Sequence, residues 1–469
     1  MAISQRSTRR MALWQAGMGI GALAACDLLA REELRAGERS APRSHHPPKA
    51  TAVISLFMHG GPSQVDTFDP KPTLERYAGK TLPESYASLN LEFTKATEAK
   101  ILPSRRKFRP CGQSGLVISD AFTHLPRVAD ELAVVRSCYH TEFAHAPALY
   151  MAHSGTRLLG RPSMGAWMLY GLGAETDNLP GYVVMREGPL KGGPLTYGHG
   201  FLPAAYAATE VHLTGSPILY LDGSQTLSPE RQRRVLDLTQ QLNRNYLSQH
   251  KTTSDVESRI AAYELAFRMQ TAAPEAVDFS QESAATLALY GLDHDDTRPF
   301  GLQCLTARRL VERGVRFVQL YHGSGNEDWD THGNNDQRLV KNCQRIDRPV
   351  TGLIQDLRAR GLLDSTLVVW GGEFGRTPTT EGSDGRDHNP YGYSVWMAGG
   401  GIRGGVTYGE TDEFGFKAQE NPTRVRDLHA TMMHLLGLDP ERLTYYFQGV
   451  QQRLTQVDGP SRVIQEIVA

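Results

Sequence analysis

Cysteine is scarce, with five residues in 469 and no CxxC pair. That excludes a disulfide scaffold and argues against a cysteine zinc site. Apart from Cys26, near the N-terminus, the chain holds Cys111, Cys138, Cys304 and Cys343. Neither sign of charge is in excess. Lys+Arg number 50 and Asp+Glu 51, a net charge of −1, so no basic surface calls for nucleic acid and none is expected as a partner. Past the first thirty residues no segment reaches the ~18 uninterrupted apolar residues that a membrane helix needs. What the chain has in quantity is glycine, 46 residues, and histidine, 16. Glycines on this scale imply many tight turns and close backbone approaches.

The N-terminus reads as an address. Arg9-Arg10 precede the apolar stretch Met11–Ala25, too short to span a bilayer but the right size for a signal core. The arginine pair reads as a twin-arginine export signal. Leu23-Ala24-Ala25-Cys26 resembles a bacterial lipobox, in which Cys26 would carry the lipid anchor; cleavage in the same run by the general signal peptidase is the alternative. The expected organisation is a signal over 1–26, a charged, then Pro/His/Ser-rich tether over 27–50, and a folded domain over 51–469. The expected destination is the periplasm, free or anchored to the membrane. Twin-arginine cargo is exported folded, often with its cofactor inserted, which favours a bound metal.

The body alternates strands and helices. Ala52–Met58 is a continuous apolar run stopped at His59-Gly60-Gly61, as a buried parallel strand would be. Further strands are expected at Glu131–Arg136, Gly181–Met185, Pro217–Leu221, Val315–Tyr321, Asp364–Trp370 and Ser394–Ala398. Helices are expected from Ser228-Pro229, from Ser254 with its capping box to Glu257, over Gly301–Arg313, and over Asp427–Leu436. The pattern predicts an α/β fold, a mostly parallel central sheet with helices on both faces.

Ligands in such sheets gather beyond the carboxyl ends of the strands. There the chain has His59, Ser63, Asp66 and Asp69, then His322, Asp328, Asp330 and His332, then Glu373 and Arg376. Asp387 and His388 come just before the Ser394 strand. Imidazoles and carboxylates without thiolate suit a divalent transition metal, zinc or manganese ahead of calcium, as one or two ions. The expected ligands are Asp330, His332, Glu373 and His388, with His59 closing the site.

The order of these motifs resembles the alkaline phosphatase and sulfatase superfamily. Within it the chain looks very like the bacterial sulfatase-like family catalogued as domain of unknown function 1501. The resemblance rests on the run from His59-Gly60-Gly61-Pro62 to Asp69-Pro70-Lys71-Pro72, on Ala307-Arg308-Arg309 through Val318, on Trp329-Asp330-Thr331-His332-Gly333-Asn334, and on Gly371-Gly372-Glu373-Phe374-Gly375-Arg376-Thr377-Pro378. It implies an alkaline phosphatase/sulfatase-like fold and an anionic ester as substrate. Three positions depart from the superfamily pattern. His59 stands where the first ligand is an Asp, and Phe374 where a metal-binding His or Asn is usual. His145, in Ala144-His145-Ala146-Pro147, stands where the nucleophile belongs. With no C-x-P-S-R or S-x-P-S-R present, formylglycine is excluded. Catalytic roles are expected of His145, Asp66 and Arg376, with His145 at the start of a helix over Pro147–His153 and facing the cavity of His332 and His388. Two functions stay open: a metal-dependent hydrolase of sulfate or phosphate esters, and a lipid-anchored binding or assembly protein that keeps the fold without turnover.

Overall fold

The computed structural model describes residues 44–213, 218, 228–249, 254–324, 328–455 and 459–469. The twin-arginine pair, Cys26, the tether up to residue 43 and most of the Pro217–Leu221 segment lie outside the described residues, as do the side chains of the Ser254–Glu257 capping box.

In chain order the elements that build the centre are β1 (Ala52–Met58), β2 (Leu132–Tyr139), α1 (His145–Ser154), α2 (Met164–Leu172), β3 (Tyr182–Arg186), β4 (Thr209–Glu210), α3 (Pro229–Gln249), α4 (Ser254–Val277), α5 (Arg298–Glu312), β5 (Phe317–His322), α6 (Asn335–Ala359), β6 (Thr366–Gly371), β7 (Tyr393–Ala398), β8 (Val406–Tyr408), β9 (Thr423–Arg424) and α7 (Val425–Leu435). The nine strands form one sheet in the order β8-β2-β7-β6-β1-β5-β3-β4, with β9 also paired to β2. β1 runs parallel to both its neighbours, Val53 opposite Phe317 and Leu367. Every pairing is parallel except those of β7, which is antiparallel to β2 and β6.

Strand alternation sends side chains to two cores. Ile54, Leu56 and Met58 join Val318, Leu320, Trp370 and the α5 and α6 residues Phe300, Leu305 and Leu353 on one face. Val53 and Phe57 join Phe317, Tyr321, Leu367 and the helix residues Leu149, Trp167 and Met432 on the other. Two buried faces explain why β1 reads as a continuous apolar run rather than an alternating one. The four body cysteines are buried free thiols. Among the described residues no helix is long and apolar enough to cross a membrane.

Strand and helix boundaries shift from expectation for local reasons. Leu363–Ser365 forms a 3-10 turn, so β6 begins at Thr366 and not Asp364. α1 begins two residues early, at His145, because Pro147 is tolerated in the first turn; it ends where Gly155 takes φ +72°.

Candidate metal centre

The carboxyl ends of β1, β5 and β6 open on one edge of the sheet. β7 runs the other way, so its N-terminal side reaches the same edge. This explains why His388, which precedes a strand, meets residues that follow strands. His388-Asn389 pairs antiparallel with Gly375-Arg376, the segment that leaves β6. Glycines let the loops close: Gly60 has φ +113°, and a Cβ there would stand 2.5 Å from the Asp330 nitrogen.

Four side chains converge: His145, Asp330, His332 and His388 offer ligand atoms all within 4.8 Å of one another. Asp330 is the hub. Its Oδ1 lies 2.8 Å from His332 Nε2, 3.1 Å from His388 Nε2 and 2.7 Å from the Arg376 guanidinium. Its Oδ2 lies 3.0 Å from His145 Nε2 and also contacts Lys191 Nζ. The two nitrogens His332 Nε2 and His388 Nε2 face each other at 3.1 Å.

The outer nitrogens of all three rings are engaged elsewhere. His145 Nδ1 is 2.7 Å from Glu373 Oε1, and His332 Nδ1 is 2.5 Å from Glu381 Oε2. His388 Nδ1 is 2.7 Å from both the Phe143 carbonyl and Glu92 Oε2. An imidazole that donates from Nδ1 to such acceptors carries its lone pair on Nε2, so three lone pairs point at one space. Tetrahedral ligation by nitrogens at about 2.0–2.1 Å would set them about 3.3 Å apart. The residues therefore fit a divalent ion, and three nitrogens plus a carboxylate without sulfur is a transition-metal donor set.

Charge follows the same geometry. Burial opposes ionisation of Asp330, yet the three histidines and Arg376 outweigh it and hold its carboxyl far below the usual range. Burial also opposes charging His145 and His332, but Asp330 with Glu373, and Asp330 with Glu381, raise both pKa values. Burial dominates at His388 and lowers it to about 4, so that ring is neutral.

Two expected ligands stand one step back from this group. Both oxygens of Glu373 accept the Gly60 N–H, at 2.9 and 3.1 Å, and Oε1 also takes His145. Burial pushes Glu373 up, but the His145 hydrogen bond and charge, with His59, bring it to about 2. His140 pins its backbone: Nδ1 accepts the Glu142 N–H and Nε2 donates to the Glu373 carbonyl at 2.5 Å. His59 Nε2 accepts the Lys191 N–H at 3.2 Å instead of turning to the centre.

Of the expected catalytic residues, His145 and Arg376 reach the centre and Asp66 does not. Asp66 is buried against Arg386 at 2.9 Å and accepts from Ser63 Oγ at 2.6 Å and Asn335 Nδ2 at 3.0 Å. These partners spend its lone pairs on tying the β1 loop to the Arg386 segment. Asp328 holds Arg338 and Lys191, Asp69 holds Lys71 at 3.1 Å, and His322 accepts from Trp329 Nε1. Asp387 has its oxygens taken by the backbone of Phe93, Thr94 and His388 and by the Thr94 hydroxyl.

Sequence reasoning missed Lys191 and Phe93. Lys191 follows β3, and its Nζ lies 3.0 Å from His145 Nε2. The rule applied to the other strand ends finds it as well. Phe93 is 60% exposed and stands edge-on to the His332 ring, centroids 4.9 Å apart. It comes from an irregular segment with no periodic signal.

The fold and site thus define an α/β protein with an imidazole–carboxylate centre at the carboxyl edge of its parallel sheet. Residues 50–468 match the family described as Protein of unknown function (DUF1501), and the chain belongs to that family. No curated protein matches it. Among solved structures it is similar to a sulfatase from Pseudoalteromonas sp., at 14% identity and TM-score 0.35, covering 91% of this chain and 75% of that one. It is similar to a phosphonate monoester hydrolase from Silicibacter pomeroyi, at 12% identity and TM-score 0.35, covering 74% and 72%. It is also similar to alkaline phosphatase from the Antarctic bacterium TAB5, at 11% identity and TM-score 0.33, covering 78% and 96%. At these values none of the likenesses bears on activity.

Proposed function

We propose that the protein is a metal-dependent hydrolase of sulfate or phosphate esters, with one ion held by Asp330, His332 and His388. The supporting observation is the pair of Nε2 atoms 3.1 Å apart over one carboxylate oxygen, with both outer nitrogens tied back. A divalent ion bound there supplies Lewis-acid polarisation of the ester, and zinc or manganese suits the donors. Arg376 fixes Asp330 through Oδ1. Lys191, a cation with a partly exposed side chain, is suited to an oxyanion of the substrate. Glu373 orients His145 so that its Nε2 lone pair faces the reacting group, a carboxylate–imidazole pair of the kind that moves protons in hydrolysis. Neither neighbouring serine competes for that role: the Ser63 hydroxyl is given to Asp66 and that of Ser154 to its own helix end.

Imidazoles tied back through their outer nitrogens serve any metal site, so turnover is what separates the hydrolase from a binding protein that keeps the fold. Aryl phosphates and aryl sulfates, offered to protein loaded with zinc or manganese, test the reading. Turnover that a chelator abolishes and the metal restores is the expected result; no turnover of any ester with either metal would sink it.

Export by the twin-arginine route, with an anchor at Cys26, belongs to the same proposal, since the folded protein would leave the cytoplasm with its ion. Lysine at both Arg9 and Arg10 is expected to leave the precursor in the cytoplasm, and normal periplasmic yield on fractionation would contradict it.

A further inference from the structure

The two oxygens of Asp330 serve different cations. Oδ1 faces His332, His388 and the Arg376 guanidinium. Oδ2 faces Lys191, whose ammonium stands among three acceptors: Asp330 Oδ2, Asp328 Oδ2 at 3.3 Å and His145 Nε2 at 3.0 Å. An ammonium has three protons and no acceptor, so these contacts occupy all of them. The backbone fixes the lysine in this place. Its N–H donates to His59 Nε2 at 3.2 Å, and the next carbonyl, that of Gly192, accepts from the Tyr150 hydroxyl at 2.9 Å.

Electrostatics call for a cation at this point. The Asp328 side chain is buried and that of Asp330 nearly so. Each has one oxygen answered by an arginine: Arg338 lies 3.2 Å from Asp328 Oδ1, and Arg376 lies 2.7 Å from Asp330 Oδ1. The second oxygens of both turn to the same Nζ. Without positive charge between them the two carboxylates would repel, and one would take up a proton. Two carboxylate oxygens and an imidazole lone pair around one point make a donor set for a divalent ion. In this chain a lysine fills it.

We infer that Lys191 is the second cation of the centre. Its ammonium takes the position between Asp328, Asp330 and His145 that a second divalent ion would otherwise hold, and so restricts the protein to the one ion on the Oδ1 side. The two positions share Asp330 but no nitrogen: His332 and His388 serve one, His145 the other. The centre is then a one-metal site whose second positive charge is built into the chain. The ion count rests on the proposed function; the position of the lysine rests on its own contacts.

Elemental analysis and calorimetric titration of the purified exported protein with zinc and with manganese read the count without any substrate. Wild type is expected to take one ion per chain. Lys191→Ala opens the second position and should take two, and adding Asp328→Asn should return the count to one. The lysine side chain is partly exposed, so its removal leaves the core intact. Lys191→Met fills the space without the charge and separates a cation from a mere prop for Asp330. Loss of a neighbouring positive charge should tighten the first ion by about tenfold or more, whereas loss of a prop would loosen it by about 10–100-fold. One ion in both wild type and Lys191→Ala, two ions in wild type, or a looser first ion in Lys191→Met would each overturn the inference. No ion in wild type but one in Lys191→Ala, lost again with Asp328→Asn, would uphold the lysine's position and remove the ion from His332 and His388. No ion in any of these proteins would remove both.

Discussion

Alanine at His332 or at His388 should strip the ion from the protein. Each change deletes one of the two facing nitrogens and leaves Asp330 with a single imidazole on Oδ1. Loss of partners merely supporting a metal ligand typically costs 10–100-fold in affinity, so loss of a ligand should cost more than about 100-fold. Elemental analysis of the purified variants should fall from near one ion per chain to a small fraction. The melting temperature should fall with it, because an ion present at 100 times its dissociation constant stabilises the native state by about 2.7 kcal/mol. The pH dependence has a definite sign. His145 and His332 have raised pKa values without an ion, so their protons stabilise the metal-free fold below about pH 6.5 and that contribution fades as pH rises through the raised values. The ion must displace those protons. Its affinity should therefore rise with pH from above 6.5 upward, and the gap in melting temperature between loaded and chelated protein should widen over the same range. His388, neutral down to about pH 4, adds nothing there. Full metal occupancy in both alanine variants would show that the ion, if any, sits elsewhere.

The upward shift of this competition from the ordinary histidine range comes from contacts no sequence displays. His332 meets Glu381, and His145 meets Glu373 across 228 residues of chain. The legible parts of the fold were those in which burial alone writes the pattern. β1 and β6 lie in the middle of the sheet between its two cores and so appear as apolar runs that stop at His59-Gly60-Gly61 and Gly371-Gly372. Strand direction leaves no such trace, and the reversal of β7, which carries His388 to the centre, is visible only in the sheet. Asp66 is the instructive failure. An aspartate just past a strand end has the residue type and position of a ligand. Whether it faces the centre or a buried arginine depends on Arg386, 320 residues away. His59 and Glu373 show a milder form of the same effect: residue type put them beside the centre, where His59 accepts the Lys191 N–H and Glu373 accepts from Gly60 and His145.

His145→Ala should abolish ester hydrolysis while leaving the ion in place. The ring lies on the Oδ2 side of Asp330, whereas His332 and His388 share Oδ1, so the ligand pair that faces across 3.1 Å survives its removal. What is lost is the one imidazole held by a buried carboxylate, with Nε2 turned to Lys191 and the open side of the centre. A positioned proton-transfer group of this kind contributes typically 10²–10⁴-fold, and a fall in kcat of about that size is expected with KM nearly unchanged. Glu373→Gln separates orientation from chemistry. It keeps an acceptor for the Gly60 N–H but removes the charge that holds His145 Nδ1–H, so kcat should fall as in the alanine variant and its pH profile should move down, toward an imidazole without its carboxylate. Elemental analysis decides between the two roles open to the same lone pair. Metal retained with turnover lost makes His145 the proton-transfer or nucleophilic group. Metal and turnover lost together make it a third nitrogen ligand, and turnover unchanged in His145→Ala removes it from the chemistry altogether.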